Sequence, residues 1–112
     1  MDWSQSLNAL PFFDGSNYAF WKVRIRAFLC AIDESVRDSV ENWYVKPMTA
    51  KFEWDKAALA LANANSKAIN AIFCGVSTNE FHRISHVEIA KEAWTILETT
   101  FEGTKKVKDT KL

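Results

Sequence analysis

Residues 13 to 32 constrain the fold more than any other stretch of the chain. They run Phe13-Asp14-Gly15-Ser16-Asn17-Tyr18 and then place Trp21, Ile25, Phe28, Leu29 and Ile32 at offsets of 0, 4, 7, 8 and 11, one face of an α-helix. Gly15 can take the positive φ of a tight turn at no steric cost, and Ser16 or Asn17 is placed to cap the helix that follows. A helix over 16–32, buried along the Trp21 stripe and flanked by Phe13 and Tyr18 as aromatic pegs, is therefore predicted.

The rest of the chain repeats this helical logic. Asp33-Glu34-Ser35 offers a cap and an acidic first turn to a short helix marked by Val36, Val40 and Trp43, which should stop before Pro47. Residues 44–52 have no period and form the longest candidate loop. A third helix is expected over 53–74, with the stripe Trp54, Ala58, Leu61, Ala62, Ile69, Ile72 and Phe73 interrupted by Asn65, and with Gly75 as its C-terminal cap. Ala57, Ala60, Ala64, Ala68 and Ala71 fall largely off that stripe, leaving a thin helix that could be approached closely on two sides. Ser77 and Glu80 have capping-box spacing for a helix over 78–85. A fifth helix, 89–102, carries Ala90, Ala93, Trp94, Leu97 and Phe101 at offsets of 0, 3, 4, 7 and 11 and ends at Gly103.

With no strand pattern, hairpin turn or repeat in view, the expected architecture is a single all-α bundle of about five helices with a partial sixth. Residues 1–12 read as a leader, 13–103 as the helical domain and 104–112 as the start of a further helix. Trp21, Trp54 and Trp94 each open or centre a stripe on a different long helix, so they are expected to meet in one core.

Bulk properties narrow the function classes. A chain of 112 residues, 48% hydrophobic, fits one domain that buries about two-thirds of its unfolded surface. Five Trp and eight Phe supply much of that apolar area. Fourteen acidic and fourteen basic side chains cancel, which disfavours an RNA-coating role driven by a positive field. Met1-Asp2-Trp3-Ser4 does not start a signal peptide, and no apolar run reaches membrane-spanning length.

Candidate chemistry is sparse. Cys30 and Cys74 lie in apolar helical contexts without Cys-x-x-Cys spacing and read as two buried, reduced thiols of a cytosolic protein. His82 and His86 lie four apart, but Arg83-Ile84-Ser85 between them lacks the Glu of a metalloprotease helix. There is no Gly-x-Ser-x-Gly elbow, and Gly15, Gly75 and Gly103 are too far apart for a phosphate loop. No enzyme activity, catalytic residue, metal, cofactor or small-molecule substrate is expected. Lys22, Arg24 and Arg26 decorate the polar side of the first helix, and Lys105, Lys106, Lys108 and Lys111 crowd the tail. These read as solvated groups, with Lys22, Arg26, Lys105 and Lys106 as candidate docking contacts. Trp43, Tyr44 and Phe52 flank the irregular loop, where an exposed aromatic group would mark a contact site.

Three motifs in order carry a family resemblance: Phe13-x-Gly15-x-Asn17-Tyr18-x-x-Trp21, then Trp54-Asp55 at the head of an Ala-rich helix, then Ala90-Lys91-Glu92-Ala93-Trp94-Thr95-Ile96-Leu97-Glu98 closed by Gly103. The pattern resembles the N-terminal region of the Gag polyprotein of Copia-type (Ty1/copia) LTR retrotransposons from plants, over roughly residues 10 to 112. The resemblance implies a capsid-like domain that self-assembles, Gag on Gag, into cytoplasmic virus-like particles enclosing the element's RNA. In the family, RNA capture falls to a zinc knuckle further along, so RNA association would be indirect for this segment. The chain reads as the N-terminal part of a longer Gag or as a truncated relic of one. Two other classes compete: a host adaptor built on the same fold, and a single-stranded nucleic-acid binder using the basic tail and loop aromatics.

Overall fold

A computed structural model describes residues 10–103. Five α-helices follow one another: α1 (Tyr18–Ile32), α2 (Glu34–Asp38), α3 (Lys56–Cys74), α4 (Thr78–Ile84) and α5 (Ala90–Glu98). A 3₁₀ turn, Lys51–Glu53, leads into α3, and α5 runs on into a π-helical turn, Thr99–Gly103. The described residues contain no strand, only an isolated parallel bridge between Phe13 and Val76, and the class is all-α as expected. The expected sixth helix and most of the leader lie outside the described residues.

The turn before α1 forms through Gly15 at φ +102°, as its spacing predicts, but the cap is not made as expected. Asn17 occupies the N-cap position in a left-handed conformation, φ 54°, and its side chain caps nothing. Instead the Asp14 carboxylate accepts from the Ser16 amide at 3.0 Å and the Ser16 hydroxyl at 2.6 Å, closing the turn one residue earlier. Those bonds hold the Asp14 carboxyl below the ordinary carboxylate range. The next cap does form, with Asp33 accepting from the Ser35 amide at 2.8 Å.

The chain before the turn is structural as well. The Trp21 indole N–H donates to the Pro11 carbonyl at 3.2 Å, Pro11 is buried, and Leu10 packs against the core. Phe13 bridges to the segment after α3, donating to the Gly75 carbonyl at 2.8 Å and accepting from the Ser77 amide at 2.9 Å. That second bond explains why the expected capping box is absent: the Ser77 N–H is already satisfied, and Glu80 turns instead to Arg83 at 2.9 Å. Gly75 does follow the last residue of α3, but at φ −94° it needs no left-handed freedom. Its lack of a side chain matters for packing, since a Cβ there would lie 2.9 Å from the Pro11 carbonyl oxygen.

The core gathers where α1, the Phe13 segment and α5 meet. Phe13 stacks on Trp21 with centroids 5.1 Å apart, Trp21 lies 6.2 Å from Trp94, and Phe101 closes on Phe13 edge-on at 4.8 Å. Tyr18, Ile25, Leu29, Val36, Val40, Ala90 and Leu97 are buried around these rings. Two of the three expected tryptophans therefore share this core. Trp54 does not join them: it is half-buried at the head of α3, and its indole N–H donates to the Thr49 carbonyl at 3.0 Å.

Helix α3 corrects the sequence reading most clearly. Its buried side is Ala64, Asn65, Ala68, Ala71 and Ile72, whereas Leu61, placed on the apolar stripe, is exposed. Small residues let α3 approach α5, and Asn65 sits inside because both ends of its amide are used. It donates to the Glu88 carbonyl and accepts from the Ala90 amide, each at 2.8 Å. A polar residue that reads as a break in the stripe is thus the fastener between α3 and the start of α5.

Candidate interaction surface

His82 lies in α4 while His86 lies beyond its end at Ile84, and both are exposed. Among the described residues no group of three His, Cys, Asp or Glu side chains could hold a metal ion. Cys30 and Cys74 are both free and exposed, against the expectation of burial. Each follows a buried residue by one or two positions, Leu29 and Ile72, and so turns away from the core. No described helix is long and apolar enough to cross a membrane.

The basic side of α1 is largely consumed by internal contacts. Lys22, a candidate docking residue, has a side chain only 16% exposed, and its ammonium bridges Glu98 at 2.8 Å and Glu102 at 2.9 Å. Burial opposes that charge, but the hydrogen bonds to the two carboxylates outweigh it and raise the Lys22 pKa. Arg26 lays its guanidinium over the Trp94 ring, 5.8 Å from the centroid, and Arg24 covers Phe20 at 5.4 Å. The Lys22 charge is thus engaged inside the fold, while Arg26 rests on an aromatic ring with its Nε buried and without a hydrogen-bond partner. Lys105 and Lys106 lie outside the described residues.

The loop between α2 and α3 is different. Its far end is pinned by the Trp54 indole and by Asp55, whose carboxylate accepts from the Ala58 amide at 2.8 Å and starts α3. Between those pins and Val40 the apolar side chains face water: Trp43 is 57% exposed, Phe52 89%, and Met48 fully so. In the first two turns of α3, Leu61 continues this surface beside Trp43 and Val45, whereas Leu59, two residues earlier, is exposed on the other side of the helix. Two grooves cut into it. One, about 410 Å³, lies between Trp43, Val45 and Leu61; the other, about 640 Å³, lies between Met48, Trp54, Ala62 and Glu88. Tyr44 stands on the ridge between them with a hydroxyl oxygen that is buried and without a hydrogen-bond partner.

Of the three aromatic residues flanking the loop, Trp43 and Phe52 are exposed and Tyr44 is half-buried; Val45, Met48, Leu59 and Leu61, not singled out as contact residues from the sequence, are exposed as well. Compared with known proteins, the chain matches no family model, no curated protein and no solved structure.

Proposed function

We propose that this chain is a Gag-derived, capsid-like helical module of the Copia type, whose work is self-assembly rather than catalysis. The observation that carries the reading is the continuous apolar surface formed by the loop before α3 and the first turns of that helix. A contiguous exposed patch beyond a few hundred Å² marks an interaction site in a protein of this size. The three ordered motifs add a family context in which that interaction is Gag on Gag, in the cytoplasm, with the element's RNA held by other parts of the polyprotein. Their residues support the reading in different ways: Phe13, Tyr18, Trp21, Ala90, Trp94 and Leu97 build the core, Gly15 and Asn17 shape the turn, and Trp54 and Asp55 anchor the assembly surface.

Sedimentation velocity over a concentration series, followed by negative-stain microscopy of the heaviest fraction, tests the proposal. The sedimentation coefficient is expected to rise with concentration and the heavy fraction to contain ordered assemblies. A monomer at every concentration, together with tight binding of one host protein, would replace this reading with the adaptor.

A further inference from the structure

We infer that the surface made by the loop before α3 and the Leu61 side of that helix pairs with the same surface of a second copy of the chain, about a twofold axis. The inference rests on the assembly reading above and specifies its first contact. Area is the first argument. Trp43, Val45, Met48, Phe52 and Leu61 leave on the order of 700 Å² of residue surface in water, close to one partner's share of a standard-size interface.

Charge is the second argument. Lys46, Lys51 and Lys56 rim the face, and Glu53, Asp55 and Glu88 rim it too, so it is nearly neutral and carries both signs. Such a face meets its own copy without net repulsion, and neither a strongly acidic nor a strongly basic partner gains from it. Shape agrees with this. Met48 and Phe52 project as knobs, the groove between Trp43, Val45 and Leu61 supplies a hole, and Ala57, one turn before Leu61, keeps that side of α3 low.

A front-to-back contact would need another apolar face of similar size. Among the described residues, Phe12, Phe20 and Val23 on the α1 side are the other large exposed apolar ones, and together they offer less than about half of the required area. Pairing like with like covers the α3 face completely; pairing it with the α1 face leaves much of it wet.

The test is sedimentation equilibrium of the full chain, wild type against the double variant Phe52→Asp/Leu61→Asp. Both side chains are exposed, so the helical circular dichroism spectrum should be unchanged while self-association weakens by at least about 30-fold. Met48→Asp, in the loop, supplies the same reading should the double variant lose helix. Phe20→Asp should leave association unchanged. A labelled double variant titrated with wild type should also bind weakly. Binding at wild-type affinity would mean that an intact second face suffices, and would overturn the twofold pairing. Wild type and double variant assembling equally would overturn the pairing alone, whereas a wild type that never associates would overturn the assembly reading with it.

Discussion

The two ends of this small bundle use the same kinds of side chain in opposite ways. At one end, Phe13, Tyr18, Trp21, Trp94 and Phe101 interlock ring on ring, with an indole N–H and a lysine ammonium each given a partner. At the other, Trp43, Met48, Phe52 and Leu61 are held by the backbone but touch little of their own chain. Aromatic content alone therefore does not locate a core. What separates the ends is whether a second element returns to cover the first. Phe13 and α5 return to α1, whereas the groups beside the first turns of α3, Ser35 and Asp38 of α2 with Trp43 and Val45, leave Leu61 more than half exposed.

The largest expected effect lies at the closed end. Trp94→Ala should cost about 3 to 5 kcal/mol, because it empties a site between Trp21 and the Arg26 guanidinium. Chemical denaturation measures it, and a comparable loss from Trp54→Ala would break the distinction between the two ends. Next is Asn65→Ala, which strands the Ala90 amide inside the bundle. A loss of about 1 to 3 kcal/mol is expected, with faster hydrogen exchange at the start of α5. An unchanged exchange rate there would show that α5 is positioned by packing alone.

A smaller effect is expected from Lys22→Met, about 1 kcal/mol, since the ion pairs it removes are partly open to water. Its pH dependence is sharper. The Lys22 pKa lies above its ordinary 10.5 in the fold, so its contribution is complete below that value and is lost as pH rises through the higher, folded one. The Tyr18 phenol is also raised above its ordinary 10.0, by burial first and then by Glu102 and Glu98, and works in the same direction. The thermal midpoint should fall on the alkaline side above about pH 10, and Lys22→Met with Tyr18→Phe should flatten that fall. A midpoint equally steep in the double variant would place the alkaline transition elsewhere. Smallest of all, Phe52→Ser should change stability by no more than about 0.5 kcal/mol. If it destabilised the isolated monomer substantially, the open end would have to be redrawn as core.

Trp21, Ile25 and Leu29 of α1 and the α5 set Ala90, Ala93, Trp94 and Leu97 are buried as their spacing predicts, although Phe20 and Val23 put apolar residues on the exposed side of α1 as well. Helix α3 was legible as a helix but not in orientation, because Ala, Leu and Ile occur nearly all round it. Its inward side is decided by Asn65, whose partners at Glu88 and Ala90 lie more than twenty residues away. Lys22 shows the same limit: its carboxylates are 76 and 80 residues distant, so a buried clamp looks locally like a solvated helix face. The exposed apolar surface was half legible: Trp43 and Phe52 flank a stretch without period, but Leu61 shares the side of Ala64, Asn65 and Ala68 and is exposed only because the covering elements stop short of it.

The contact between Phe13 and Phe101 also has a mechanical meaning. Those residues lie at opposite ends of the described helices yet their rings are 4.8 Å apart, and Lys22 ties the neighbouring turn to α1. Tension applied through the two ends would act first on that ring contact and on the Phe13 hydrogen bonds to Gly75 and Ser77, so the load passes into the C-terminal end of α3 before it reaches the first turns of that helix.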